Sequence, residues 1–168
     1  MILSICIPTY NRINQLDNCL NSILISKKNV DDFNFEICIS DNNSEKNTEE
    51  IIQKYNKELK IKFNRNKKNF GFAINAIKTV SMAQGEFSWM IGDDDLILPK
   101  TLLKLKNLLQ NNSDNDYFFI NSYHLNSIYL GQFSSPFDTN NLNFENMKKM
   151  SPLKISRSAP FWEVIDPK

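Results

Sequence analysis

The chain has 168 residues, enough for one domain built around a single hydrophobic core. Its 20 basic and 19 acidic side chains leave a formal charge of +1. That balance excludes the broad basic field that holds a nucleic acid by counterion release, so an anionic ligand must be gripped locally, by a few placed groups or by a metal.

In chain order, Leu3 to Ile7 is a short apolar run ended by Pro8 and reads as a buried strand. Ile13, Leu16, Leu20, Ile23 and Leu24 then recur at helical spacing. Phe35 to Ser40 predicts a second strand, and Ile51, Ile52 and Tyr55 mark a second helix. Leu59 to Phe63 is a weaker third strand. Asn69 to Gly71 breaks the pattern before a helix of small residues from Ala73 to Ala83, which Gly85 is placed to end. Phe87 to Ile91 is a fourth strand running into Gly92-Asp93-Asp94-Asp95. Pro99 opens a helix carrying Leu102, Leu105 and Leu109 on one face, because its missing N–H would go unpaired at the first helical position. Asp116 to Tyr123 is a fifth strand candidate, Asn126 to Asn143 reads as loop, and Phe144 to Met150 as a short helix. Strands alternating with helices predict an α/β fold, a mostly parallel sheet flanked by helices with an irregular C-terminal segment.

Three polar clusters follow three of these strands: Pro8-Thr9-Tyr10-Asn11-Arg12, Asp41-Asn42-Asn43-Ser44 and Asp93-Asp94-Asp95. Ligands of open parallel sheets bind at the carboxyl ends of the strands, where all three would lie together. Three adjacent carboxylates repel one another, and a divalent cation such as Mg²⁺ or Mn²⁺ relieves the repulsion while bridging to phosphates. Alone, the same run reads rather as a solvated acidic turn before a helix. Tyr10 offers a ring to cover a base and Arg12 a cation for a phosphate, or the segment is simply a helix start capped by Thr9 or Asn11. Asp41 could accept from a pyrimidine N–H or cap the next helix. His124 has no Cys or His neighbour and reads as a loop or strand-end residue. There is no GxxxxGK[ST] or GxGxxG loop, no GxSxG elbow and no HExxH pair, which disfavours P-loop ATPases, dinucleotide enzymes, α/β-hydrolases and zinc peptidases.

The blocks SICIPTYNRINQLDNCLNSIL, EICISDNNSEKNT and NKKNFGFAINAIKTVSMAQGEFSWMIGDDDLILP, in this order and spacing, resemble the N-terminal part of family-two glycosyltransferases of the GT-A fold. The resemblance implies an inverting, metal-dependent transfer of a sugar from a nucleoside-diphosphate donor, UDP-sugar favoured, to a glycan or lipid-linked acceptor. It implies that Pro8, Thr9 and Tyr10 line the nucleotide pocket with Arg12, that Asp41 and Asn43 lie at the base, and that Asn69 and Gly71 form a loop near the nucleotide. It puts Asp93 near the ribose, with Asp94 and Asp95 as ligands of Mn²⁺ or Mg²⁺. Residues 1–123 would be the nucleotide-sugar-binding domain and 124–168 a partial acceptor-side segment of a truncated chain.

Two departures accompany it. The arginine common in similar proteins just before the Asn75 position is Ile74 here, with Lys67 or Lys68 as substitutes. The catalytic base has no Glu-Asp pair after Asp95 to supply it; Glu163 and Asp166 are the weak candidates, beside Asp138 and Glu145. The other readings are a non-catalytic nucleotide-sugar-binding module and a nucleotidyltransferase, although the latter wants a glycine-rich basic loop that Pro8 to Arg12 does not provide. Ile2 to Ile7 is too short for a signal-peptide core, and no apolar stretch approaches the ~20 residues that span a bilayer. Three cysteines without CxxC spacing read as reduced buried thiols. A cytoplasmic protein is expected, peripheral at the inner face of a membrane or paired with a second copy through an unfinished sheet edge.

Overall fold

The computed structural model describes residues 1–112, 114–120, 122 and 136–142. Four strands, β1 (Leu3–Thr9), β2 (Phe35–Asp41), β3 (Ile61–Arg65) and β4 (Phe87–Met90), form one sheet in the order β3-β2-β1-β4, every pair parallel. The helices are α1 (Ile13–Lys27), α2 (Thr48–Tyr55), α3 (Phe72–Ser81) and α4 (Thr101–Asn111). From β1 to β3 the chain steps one way across the sheet; α3 then carries it back over β2 and β1 to β4. Right-handed crossovers place α1 and α2 on one face and α3 on the other. Contacts agree, since α1 touches α2 and α4 while α3 packs on β1 and β2. The reversal point lies between β1 and β4, where open sheets of this kind leave a crevice.

The two central strands are buried along their whole length, which is why they read as unbroken apolar runs rather than alternating ones. Ile5, Ile7, Leu16, Leu20, Ile23, Ile37, Ile39 and Leu102 form the fully enclosed centre. Cys6, Cys19 and Cys38 are buried free thiols, as expected. At the amino edge of the sheet the buried Glu36 carboxylate accepts from Ser4 Oγ at 2.8 Å and from the Gln84 amide at 2.8 Å, and faces Lys62 Nζ at 2.9 Å.

Several expectations shift. The third strand starts at Ile61 rather than Leu59, because Glu58 and Leu59 donate back to the Tyr55 carbonyl and tuck Leu59 into the core as part of a turn. Helix α3 closes at Met82 in right-handed geometry, so Gly85 is not its cap. Gly85 is instead a close passage: a Cβ there would lie 2.6 Å from the Ser4 nitrogen and 2.7 Å from the Leu3 carbonyl carbon. Pro99 precedes Lys100, the cap of α4, instead of occupying the first helical turn. Residues 117–120 keep the expected alternation, with Phe118 and Ile120 against the core and Tyr117 and Phe119 exposed, but they are not a strand of the described sheet. Phe118 meets Phe87 edge-on at 5.7 Å.

Within the expected loop, Thr139–Asn141 forms a 3-10 turn. Phe137, buried, is pinned to α1 by the Asn18 carboxamide oxygen, which accepts its N–H at 2.7 Å, and by Asn21 Nδ2, which donates to its carbonyl at 2.8 Å. The expected helix from Phe144 to Met150 lies outside the described residues, as does His124.

Candidate functional site

The three polar clusters meet at the carboxyl edge of the sheet. Thr9 and Asp41 are register partners at the ends of β1 and β2, and β4 runs parallel on the other side of β1. The first two loops are stitched together by Asn11, whose N–H donates to Ser44 Oγ at 2.8 Å while its Oδ1 accepts from the Glu45 N–H at 2.7 Å. Asn11 and Asn43 both take the left-handed backbone region, at φ 54° and 70°, a conformation asparagine tolerates better than most residues. Tyr10, between these fixed points, is 42% exposed. A cleft of about 350 Å³ opens between the first turns of α1 and α2, lined by Asn11, Arg12, Asn14, Ser44, Glu45 and Thr48.

Across the β1–β4 crevice, Thr9 Oγ1 donates to Asp93 Oδ2 at 2.7 Å. Arg12 Nη1 lies 3.3 Å from Asp93 Oδ1 and 2.7 Å from Asp94 Oδ2, and so bridges the two carboxylates. Asp93 is buried, and burial pushes its carboxyl above the ordinary range against the opposing pull of the Thr9 hydroxyl and the Arg12 guanidinium. The same carboxylates hold the Arg12 proton more firmly than usual. Asp95 turns back, its Oδ2 accepting from the Gly92 N–H at 2.7 Å. A Cβ at Gly92 would meet Asp94 Oδ1 at 2.6 Å and Asp95 Oδ2 at 3.2 Å, so a larger residue there would turn the Asp94 side chain aside. Among the described residues no three His, Cys, Asp or Glu side chains converge into a ready metal cage. The outward carboxylate of Asp94, with Asp95 beside it, offers hard oxygen ligands of the kind Mg²⁺ and Mn²⁺ take when a diphosphate completes the shell.

Asp41 is enclosed and locally engaged. Its Oδ1 accepts from the Ser44 N–H at 3.0 Å and from Ser44 Oγ at 2.5 Å, and its Oδ2 accepts from Thr48 Oγ1 at 3.1 Å. The cap of α2 is Asn47. Asn43 is exposed beside it.

Sequence reasoning gave no role to the neighbouring Asn42, Asn66 and Asn75, all buried. Asn42 Nδ2 donates to Asn69 Oδ1 at 2.7 Å and to the Gly71 carbonyl at 3.2 Å, and its Oδ1 accepts the Phe70 N–H at 3.0 Å. Gly71 itself has φ 84°, which favours glycine. Asn75 Nδ2 donates to the Ser40 carbonyl at 2.8 Å and the Thr9 carbonyl at 3.4 Å. The visible signal was asparagine at strand and helix ends, masked by asparagine's abundance along the chain. Ile74 is 48% exposed, whereas Lys68 and Lys78 approach the Phe70 ring, at 5.3 and 4.2 Å from its centre. Asp138 caps the 3-10 turn, its carboxylate accepting from the Asn140 N–H. Glu145, Glu163 and Asp166 lie outside the described residues.

The profile of the family described as Glycosyl transferase family 2 matches residues 4–161. The chain belongs to this family. The abequosyltransferase RfbV of Salmonella typhimurium is 41% identical over 118 residues, covering 68% of this chain and 34% of its own length. A β-1,3-glucosyltransferase of Campylobacter jejuni, named for a GalNAc(5)-diNAcBac-PP-undecaprenol acceptor, is 34% identical over 106 residues, 61% of this chain and 33% of its own. Among solved structures, S. aureus TarS superposes with a TM-score of 0.60 at 27% identity, covering 67% of this chain and 33% of the TarS fragment 1-349, which has been seen with UDP and with UDP-GlcNAc. This family 2 chain thus spans about a third of the length of these relatives. Its parallel sheet with flanking helices superposes on that of TarS, and the family match sets aside the nucleotidyltransferase reading.

Proposed function

We propose that this chain forms the donor-binding part of an inverting, metal-dependent glycosyltransferase whose donor is a nucleoside-diphosphate sugar, UDP-sugar favoured. The observation that carries the reading is the junction of Thr9 and Arg12 with Asp93 and Asp94 across the β1–β4 crevice. It places one cation and an outward carboxylate beside the edge where open parallel sheets bind nucleotides. The UDP and UDP-GlcNAc complexes of TarS support the donor class.

Asp94, with Asp95 as second ligand, would hold Mn²⁺ or Mg²⁺, which when bound neutralises a departing diphosphate as a Lewis acid. Tyr10 would cover the base, Asp41 and Asn43 flank it, and Pro8, Asn69 and Gly71 close the pocket. Arg12 would exchange part of its pairing with Asp94 for a phosphate oxygen. Inversion requires a carboxylate that takes the acceptor hydroxyl's proton on the opposite face from the diphosphate, a role for which Glu163 and Asp166 remain the candidates. A glycan or lipid-linked acceptor is in keeping with the Campylobacter relative's name. No described helix is long and apolar enough to cross a membrane; the setting we propose is cytoplasmic, with any membrane contact peripheral.

The test is thermal stability with UDP, GDP, CDP and TDP, each with and without Mn²⁺, for wild type and Asp94→Ala. A ligand at a hundredfold excess over its Kd stabilises by about 2.7 kcal/mol. The expected result is a Mn²⁺-dependent rise with UDP that Asp94→Ala loses. A cooperative melt that no nucleotide moves would overturn the donor site.

A further inference from the structure

The three buried asparagines at the carboxyl edge form one connected circuit, in which Asn66 joins the other two. Asn66 Nδ2 donates to Asn42 Oδ1 at 3.0 Å and to Asn75 Oδ1 at 2.8 Å. Its own Oδ1 accepts from Lys78 Nζ at 2.8 Å and from Asn64 Nδ2 at 3.3 Å. Backbone groups fix which way the Asn42 and Asn75 amides point. Asn42 Oδ1 accepts the Phe70 N–H, so it must be oxygen; Asn75 Nδ2 faces the Ser40 and Thr9 carbonyls, so it must be nitrogen. Asn75 Oδ1, which also accepts from Ser40 Oγ at 2.8 Å, is thereby turned toward position 66. Position 66 therefore confronts two oxygens and must supply two hydrogens, with an acceptor on its far side for Lys78 and Asn64. A carboxamide has that inventory of two donors and two lone pairs, whereas a carboxylate has no donor at all.

On either side of Asn66 lie the two halves of the proposed donor site. Through Asn42 the circuit grips Asn69, Phe70 and Gly71, three consecutive residues of the loop before α3. Through Asn75 it grips the ends of β1 and β2 at the Thr9 and Ser40 carbonyls, and Thr9 continues to Asp93 through its hydroxyl. We infer that Asn66 is a positioning residue for nucleotide binding, tying Asn42 to Asn75 and so setting the distance between the 69–71 loop and the Thr9–Asp93 junction. The inference rests on the donor-site reading for its ligand, though not for its geometry.

Two measurements test it on the full chain, using Asn66→Asp, an isosteric change that removes both donors, and Lys78→Met, a milder change that takes away one of the two donors to Asn66 Oδ1 while keeping the apolar stem under Phe70. Ser4→Ala, at the opposite edge of the sheet, is the control for general destabilisation. The first measurement is hydrogen exchange of the Phe70 amide without ligand. We expect it to quicken by at least ~10-fold in Asn66→Asp, the equivalent of one hydrogen bond of ordinary net strength, and by less in Lys78→Met. The second is the affinity for UDP with Mn²⁺, expected to fall by a similar ~10-fold factor in Asn66→Asp while Ser4→Ala stays at the wild-type value.

Unchanged Phe70 exchange in both variants would overturn the positioning role, and so would faster exchange with undiminished UDP affinity. An equal fall in affinity for Ser4→Ala would reduce the effect to stability alone and overturn it as well. If Asn66→Asp does not melt cooperatively, Lys78→Met decides on the same two readouts. If the wild type itself binds no UDP, the donor reading falls, while the exchange arm still decides whether Asn66 holds the loop.

Discussion

Glu36 shows how much a single side chain at the edge away from the site contributes. Burial alone would raise its pKa, but Lys62, the Gln84 N–H and the Ser4 hydroxyl together outweigh burial and hold it below the ordinary carboxylate value. A depressed folded-state value means that the contribution is complete above the unfolded-state value, about 4.3 for Glu, and is lost as pH falls through the folded one. Glu36→Gln should therefore flatten this part of the acid limb when urea midpoints are compared between about pH 3 and 7. Lys62→Met should cost roughly 2–3 kcal/mol at neutral pH, less than the ~3–5 of a fully enclosed pair because Lys62 is 30% exposed, and should start acid unfolding at higher pH. An unchanged urea midpoint in Lys62→Met would show that Ser4 and Gln84 suffice for the charge.

At the scale of elements, Gly85 and Leu102 make contrasting predictions. Gly85→Ala must push backbone atoms of β1 away from the α3–β4 connection, so it should lose ~1–3 kcal/mol in chemical denaturation, where an alanine at an open turn would lose almost nothing. Leu102→Ala empties a fully buried position on α4 and should lose ~2–5 kcal/mol. The elements themselves were legible because β1 and β2 are unbroken apolar runs and α1 and α4 keep their leucines and isoleucines at helical spacing. Gly85 was misread because a glycine after a helix signals a cap, while a close approach to a strand 80 residues earlier leaves no local trace. Residues 117–120 carry a strand's alternation yet lie outside the described sheet, and pairing is a property of the whole sheet. The site followed the same division. That three clusters share one edge could be deduced from strand polarity, but that Asp41 spends its oxygens on Ser44 and Thr48, and that Asn66 binds two other asparagines, required the packed loops.

For the molecule as a whole, the two faces of the sheet differ. One carries three helices packed together; the other carries α3, which buries only Asn75, Ala76 and Thr79 and leaves Phe72, Ile74, Ile77 and Val80 exposed. Ile77→Lys should change the unfolding free energy by less than about 0.5 kcal/mol, since the side chain is 66% exposed. A larger loss would mean that something covers this face in solution. The asparagine circuit beneath the same helix has a different consequence. Asn42, Asn66 and Asn75 hold the loops with carboxamides, which neither gain nor lose a proton across any range in which the fold survives. This part of the frame is accordingly silent to acidity, and a pH profile of nucleotide binding would report the ligand and the carboxylates around the pocket rather than the asparagines.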